Sequence, residues 1–276
     1  MKRLAAILLL LPICCWNNPA RAEKFKQSKL IEWERLNARV VSLYKEGNQD
    51  LALVLAKQSL QMAEDEGGYN HPTVAQSMNN LALLYKTLGQ YEEAERLYYL
   101  SLTILQLNQG PEHPSTAASL NNLAALYIIQ GKYEDAESYY KRALSIKIRE
   151  FGKNHLSAAL SLNNIADLYC LQGKYTQAEP LFQHVIAIRE NKLGYSHPLV
   201  AESLNKLGNL YNTQGQYIKA EPLYKRSLAI LEKAPLQNNS KASIIEKLVS
   251  IYRQTGREEA VAELEKRSGT ISTTGK

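Results

Sequence analysis

The sequence predicts an all-α fold, a right-handed superhelical solenoid of antiparallel helix pairs, from two periodic features. His-Pro occurs at 71–72, 113–114 and 197–198, and His155-Leu156 fills the missing position, so the step is 42 residues. The segments between these sites are copies of one unit, such as LNNLAALYIIQGKYEDAE at 120–137 and LNNIADLYCLQGKYTQAE at 162–179. Self-similarity at such a period indicates units that stack on one another and share no single core.

Residues 1–22 have the pattern of a secretory signal peptide. A basic start at 1–3 is followed by an apolar run at 4–13 and by Ala-Arg-Ala at 20–22. The apolar run is too short to span a bilayer, and the small residues suit a signal peptidase. We therefore expect a mature chain that begins at Glu23, has no stable membrane span, and is periplasmic or secreted.

The cysteines bear on anchoring and redox chemistry. Cys14 and Cys15 leave lipoprotein anchoring as an alternative, but Ile13 is not the small residue that lipid attachment requires before the cysteine. After cleavage only Cys170 remains, and a single thiol cannot form an internal disulfide. Its helix has no basic residue one turn away to activate it, so we interpret Cys170 as a small packing residue.

Each unit is predicted to contain two helices joined by a glycine turn. Leu120, Leu123, Ala124 and Tyr127 recur at i, i+3, i+4 and i+7, which is one apolar helix stripe, and Gly131 can take the left-handed conformation that ends it. A second apolar stripe follows the turn. The same frame recurs in the turn glycines 47, 89, 131, 173, 215 and 256, in the packing alanines 52, 94, 136, 178 and 220, and in the inward tyrosines 85, 127, 169, 211 and 252.

This frame sets the domain boundaries. Five full helix pairs and a drifted sixth pair near 241–267 give a solenoid over residues 23–267. The outermost copies are the least regular, as expected of units with one solvent face. Residues 268–276 lack periodicity, and the sequence predicts a disordered tail there.

The repeated residues resemble the tetratricopeptide repeat, and in particular its longer kinesin-light-chain type. The motif is L-N-N-L-A-x-L-Y-x-x-Q-G-x-Y-x-x-A-E-x-L-Y-x-R-A-L, closed by G-x-x-H-P, and the resemblance covers roughly residues 30–267. Residues 39 and 241–267 depart from the pattern, because Arg39 replaces an apolar residue and the last pair lacks the asparagine. The resemblance implies a scaffold that binds an extended peptide segment of a partner protein in a concave groove.

A second face of each first helix is where the resemblance places the ligand. This face carries one Asn per repeat, and in the family that Asn hydrogen-bonds the peptide backbone, since an amide donates and accepts at once. The predicted peptide-binding residues are Asn79, Asn121, Asn163 and Asn205, with shallow pockets at Leu83, Ala125, Ile128 and Leu160. The alternative is that the Asn ladder only ties neighbouring helices together.

The histidines at 71, 113, 155 and 197 are predicted to cap loops. They lie one repeat apart, and packed helix layers are about 10 Å thick, so these side chains cannot share a metal ion. No phosphate-binding loop, zinc-protease or nucleophile-elbow motif occurs. We therefore expect no enzyme activity, no cofactor and no metal.

Three classes of function remain open. The first is a scaffold that binds a protein or peptide partner, the second is a structural component that oligomerises or assembles a complex, and the third is a glycan binder. A glycan binder would expose rows of Trp, whereas the mature chain has only Trp33. Lys and Arg alternate with Glu along the helices and form no basic stripe, so we expect no nucleic-acid partner.

Overall fold

The computed structural model describes residues 27–233 and 238–273, which form twelve helices and no strand. The predicted signal peptide lies outside these residues. The helices are α1 (Gln27–Lys45), α2 (Gln49–Gly67), α3 (Pro72–Thr87), α4 (Tyr91–Gln109), α5 (Pro114–Ile129), α6 (Tyr133–Phe151), α7 (Leu156–Leu171), α8 (Tyr175–Leu193), α9 (Pro198–Thr213), α10 (Tyr217–Lys233), α11 (Asn238–Gln254) and α12 (Glu258–Thr273).

The helices pack in chain order within two compact units, one ending at Leu126 and the other starting at Tyr127. In the first unit α2 contacts both α1 and α3, and α3 also contacts α4. In the second unit each helix from α6 to α12 packs against the next one in sequence. The prediction of an all-α solenoid built from helix pairs is confirmed, including the drifted sixth pair α11–α12.

The turn within a pair depends on glycine. Gly131 has φ 74°, a conformation that strains other residues, and the amide of Lys132 then donates to the carbonyl of Tyr127 at 2.8 Å to close the end of α5. Close approach of the two helices depends on the predicted alanines, which are fully buried at 52, 94, 136, 178 and 220. At Gly208 even a methyl group would not fit, because a Cβ would lie 2.8 Å from the ring of Tyr224.

The predicted inward tyrosines also join one repeat to the next within the second unit. The hydroxyl groups of Tyr169, Tyr211 and Tyr252 donate to a glutamate on the second helix of the preceding repeat. The acceptors are Oε1 of Glu137 at 3.0 Å, Glu179 at 2.6 Å and Glu221 at 3.2 Å. Basic side chains cover the same rings, with Lys174, Lys219 and Arg257 lying 5.8, 5.0 and 4.3 Å from the ring centres.

The sixth pair is held to the fifth by charge. Arg257 donates to both carboxylate oxygens of Glu221, at 3.1 and 2.8 Å, and Lys225 lies 2.8 Å from the same group. These contacts, led by the hydrogen bonds from Arg257, lower the pKa of Glu221 to about 2. The forked guanidinium thus fixes α12 against α10 where the sequence repeat has drifted.

The chain end differs from the sequence-based expectation. The tail was predicted to begin at residue 268, but α12 continues to Thr273, and residues 274–276 lie outside the described part of the chain. A helix that has already formed adds further residues at little cost, because nucleation is its expensive step. Periodicity reports burial of a face, so its loss after residue 267 did not mark the end of the helix.

The tyrosine–glutamate contact predicts a specific loss of stability. We expect Tyr211→Phe to lower the free energy of unfolding by about 1.5–3 kcal/mol, the usual contribution of a hydrogen bond to a charged group. Thermal unfolding followed by circular dichroism measures it. Tyr217→Phe is the matched control, since no described residue bonds its hydroxyl, and equal melting temperatures for the two variants would contradict the prediction.

Candidate functional site

The four repeated histidines cap the first helices. Nδ1 of each accepts a hydrogen bond from the backbone N–H two residues later, in the first turn of α3, α5, α7 and α9. The distances are 3.3 Å at His71, 3.3 Å at His113, 3.1 Å at His155 and 3.1 Å at His197. The predicted capping role is confirmed. Among the described residues no cluster of three His, Cys, Asp or Glu side chains could hold a metal ion.

The cap at His71 predicts a dependence of stability on pH. Burial lowers the pKa of His71 below its usual 6.5, so the unfolded chain binds this proton more readily than the folded chain. The cap therefore stabilises the fold above about pH 6.5 and is lost as the pH falls through the lower folded-state pKa, because protonation removes the acceptor on Nδ1.

His71→Asn tests this dependence, since Asn also caps helices but does not titrate. We expect the difference in melting temperature between the natural protein and the variant to shift in favour of the variant between pH 7 and pH 5. Differential scanning calorimetry at several pH values measures this difference. A difference that is constant with pH would show that His71 does not cap α3 as a neutral imidazole.

Asn79 is engaged within the first unit. Its Nδ2 donates to the hydroxyl oxygens of Ser101 on α4 and Ser119 on α5, both at 2.7 Å. Ser101 in turn donates to the carbonyl of Ala75 at 2.7 Å. The amide nitrogen of Asn79 therefore ties three helices together, as the structural alternative for the ladder expects, while its Oδ1 is shielded from solvent and has no hydrogen-bond partner among the described residues.

The second asparagine of the α3 pair is also structural. Asn80 donates from Nδ2 to Oδ1 of Asn37 at 2.7 Å, and Asn37 donates to the carbonyl of Trp33 at 3.1 Å. The indole of Trp33 is buried and donates to the hydroxyl of Ser77 at 2.9 Å. These contacts join the first repeat to the second. Trp33, which is the only Trp of the predicted mature chain, takes part in them.

Asn121 differs from Asn79 because nothing holds its side chain. It is half-buried on α5, its Oδ1 is shielded from solvent without a hydrogen-bond partner, and its Nδ2 bonds to none of the described residues. Leu83 on α3 and Ala125 on α5, the predicted pocket residues of the first unit, are likewise half-buried. The predicted contact residues of the first unit are therefore uncharged, and the amide of Asn121 has no hydrogen bond to the described residues.

In the second unit the corresponding face is charged. Asn163 is buried and donates to Oδ2 of Asp167 at 3.0 Å, and the same oxygen accepts from Lys206 on α9. Burial raises the pKa of Asp167, and the contact with Lys206 opposes that rise. Lys206 also lies 4.0 Å from Glu202, so α7 and α9 are joined by a line of charges.

Asn205 takes part in a similar contact further along the second unit. Its Oδ1 accepts a hydrogen bond from Lys247 at 3.0 Å, and Lys247 on α11 occupies the repeat position that Asn holds elsewhere. Of the two predicted pocket residues in this unit, Ile128 is half-buried and Leu160 is 50% exposed. The predicted asparagines of the second unit are therefore both occupied, whereas Leu160 is open.

Cys170 lies beside this line of charges. Burial, and secondarily the charge of Asp167, raise the pKa of its thiol to about 11. The thiolate is therefore scarce at neutral pH, as expected for an unreactive packing residue.

The structure shows a row of buried serines that the sequence pattern did not predict. Buried serines precede each ladder asparagine by two residues and receive the side chains that cross between helices. They are Ser77, Ser119, Ser161 and Ser203. Their step of 42 residues was the available signal, but serine is common on exposed helix faces, so its burial could not be inferred from the pattern.

Comparison with known protein families finds the same helix-pair repeat that the structure shows. A family model for the tetratricopeptide repeat matches residues 36–107, 79–149 and 157–233. No curated protein matches the chain significantly. Among the described residues, none of the helices combines the length and apolar character needed to cross a bilayer.

Solved structures of similar fold include kinesin-light-chain-like proteins. BtubC (BKLC) from P. vanneervenii has a TM-score of 0.69 at 20% identity, covering 87% of this chain and 93% of that one. A putative kinesin light chain from Podosopora anserina with nearly identical TPR-like repeats has a TM-score of 0.63 at 27% identity, covering 74% and 97%. PilF of Pseudomonas aeruginosa has a TM-score of 0.59 at 15% identity, covering 86% and 90%.

Proposed function

Because the chain belongs to the tetratricopeptide repeat family and is of the kinesin-light-chain-like type, we propose that it is an exported scaffold that binds an extended peptide segment of a partner protein. Tetratricopeptide repeats generally mediate protein–protein interaction and are typically non-catalytic. The ligand would bind to the asparagine face, which we define in each unit as the face of the first helices that carries the ladder asparagines. These are Asn79 and Asn121 in the first unit and Asn163 and Asn205 in the second.

The unpaired amide of Asn121 carries this proposal. A shielded acceptor without a partner costs about 1–3 kcal/mol, so such groups in folded proteins need an explanation. A peptide backbone supplies an N–H and a C=O together, which match both ends of an amide. Because no internal hydrogen bond holds Asn121, its side chain can rotate to meet that backbone without losing a contact.

The composition of the face favours a peptide over a glycan. Sugar binding commonly uses exposed aromatic rings, but Trp33 is buried and its N–H is already bonded to Ser77. Leu83, Ala125 and the hydroxyl-bonded Asn79, which are the other predicted contact residues of the first unit, are uncharged and suit an uncharged backbone with small apolar side chains.

Asn121→Ala tests the groove. We expect a smaller fall in melting temperature than a bonded ladder asparagine would give, because no internal hydrogen bond is lost. We expect several-fold weaker peptide binding, since a neutral hydrogen bond contributes about 1 kcal/mol. The probe is a peptide selected from a random display library by the mature protein, with affinity measured by isothermal titration calorimetry.

Asn79→Ala is the matched control. It leaves Ser101 and Ser119 without their donor, so we expect a clear loss of stability. If Asn121→Ala lowers the melting temperature as much as Asn79→Ala and binds the peptide with unchanged affinity, the ladder is structural and the peptide-binding proposal fails.

Export is a separate prediction, supported by the basic start, the apolar run and the Ala-Arg-Ala at 20–22. In the native host we expect removal of residues 1–22, so that mass spectrometry finds a mature N-terminus at Glu23 in the periplasmic or secreted fraction. Replacing Ala20 and Ala22 with Leu should block cleavage, because signal peptidase needs small side chains there. An intact Met1 in the cytoplasm would contradict export, and a lipid-modified cysteine would indicate the anchored alternative.

A further inference from the structure

Two repeats of the second unit bury a cation at the same position of their second helix. Lys147 on α6 is 8% exposed and Arg189 on α8 is 6% exposed, and they are 42 residues apart in sequence. The equivalent residues of other repeats are Leu105 and Leu231, so a charge is not needed there for packing. Burying a charge is costly unless a counter-charge and hydrogen bonds compensate it.

Arg189 has that compensation. Its Nη1 donates to the carbonyl of Leu199 at 2.8 Å and to the hydroxyl of Ser203 at 2.7 Å. Oε2 of Glu202 lies 3.7 Å away, although the side chain of Glu202 is 47% exposed. A carboxylate on the asparagine face of α9 therefore reaches the buried cation from the solvent side.

Lys147 lacks the carboxylate. Its Nζ donates to the hydroxyl of Ser161 at 3.0 Å, and no acidic side chain among the described residues lies within ion-pair distance. The position that Glu202 holds in the next repeat is taken by Leu160, which is half exposed and uncharged. Burial without a counter-charge lowers the pKa of Lys147.

The two cations share one contact. Ser161 and Ser203 are equivalent residues of the repeat, and each receives a hydrogen bond from the terminal nitrogen of the buried cation. The ammonium group of Lys147 therefore bonds to the serine that is equivalent to the partner of Arg189, and Glu202 reaches Arg189 from the exposed face. The two repeats differ in the residue at 160 and 202, and Arg189 in addition bonds the carbonyl of Leu199.

We propose that Lys147 is a docking point for a carboxylate of the bound peptide, which enters beside Leu160 and takes the place that Glu202 takes beside Arg189. This inference rests on the proposed peptide-binding function and adds a chemical preference to it. The bound segment carries an acidic group at one fixed position, and the methyl groups of Leu160 pack against its aliphatic part.

The position of the ammonium group can be tested without any ligand. Leu160→Glu supplies the carboxylate from within the chain, and Leu160→Gln is the neutral control of the same size. We expect Leu160→Glu to melt at a higher temperature than Leu160→Gln, and we expect that difference to disappear when Lys147→Leu is also present. Equal melting temperatures for the Glu and Gln variants would overturn the proposal, because Nζ would then be out of reach.

The ligand preference is tested with random peptides displayed between fixed flanking sequences, selected separately on the natural protein, Lys147→Leu and Leu160→Glu. We expect peptides selected on the natural protein to be enriched in Asp or Glu at one position, and peptides selected on either variant to lack this enrichment. A selected acidic peptide should bind Lys147→Leu at least about tenfold more weakly than it binds the natural protein. Lys147→Leu places the residue of two other repeats at this site, so it should fold.

Each outcome has a distinct meaning. Peptides bound equally by the natural protein and Lys147→Leu, with no acidic preference, would overturn the carboxylate site and leave peptide binding intact. Failure of the natural protein to select any peptide would overturn both. Some selected peptides will have no carboxylate other than the one at the C-terminus. If amidation of that C-terminus abolishes binding, the terminal carboxylate is the ligand of Lys147, which supports the site.

Discussion

A single helix pair of this chain cannot bury its own apolar surface. The repeat period, the packing residues and the contacts between repeats all depend on that constraint. Each pair leaves one face that only the next pair can cover, so the same residues must recur at the same step. Alanines at the crossing of the two helices allow the close approach, and the tyrosine of the following repeat covers the gap and bonds to a glutamate. Stability therefore accumulates from repeated local contacts, and the drifted last pair has the Glu221–Arg257 contact in addition.

Because packing uses one stripe of each first helix, the adjacent stripe is free to vary. In the first unit that stripe carries Asn79, Leu83 and Asn121, with Lys86 as a charged residue at the end of α3. Its amide nitrogens are either bonded to hydroxyl groups, as at Asn79, or have no partner among the described residues, as at Asn121. In the second unit Asp167, Lys206 and Glu202 link α7 to α9. The same stripe of the repeat thus carries different side chains in the two units.

The buried cations show that one position of the repeat tolerates different side chains. A position occupied by leucine in two repeats carries lysine and arginine in two others, and the fold accommodates both because a serine hydroxyl lies in reach. Where the neighbouring repeat position is acidic, the charge is neutralised internally, as at Arg189. Where it is leucine, as beside Lys147, no acidic side chain of the described residues neutralises the charge.

The sequence by itself determined the fold class, the six helix pairs, the glycine turns, the packing alanines and the capping role of the histidines, because each follows from local periodicity that repeats without exception in the middle copies. It did not determine which asparagines are free. Asn79, Asn121 and Asn163 are identical in the motif, yet two of them are bonded by Ser101, Ser119 and Asp167, and one is not. Only the tertiary structure decides which asparagine side chains are bonded. Their hydrogen-bond partners come from other helices or depend on which rotamer the packing permits. For the same reason the sequence did not predict that Lys147 and Arg189 are buried, because their burial is set by the helix packed over them and not by their own sequence neighbours.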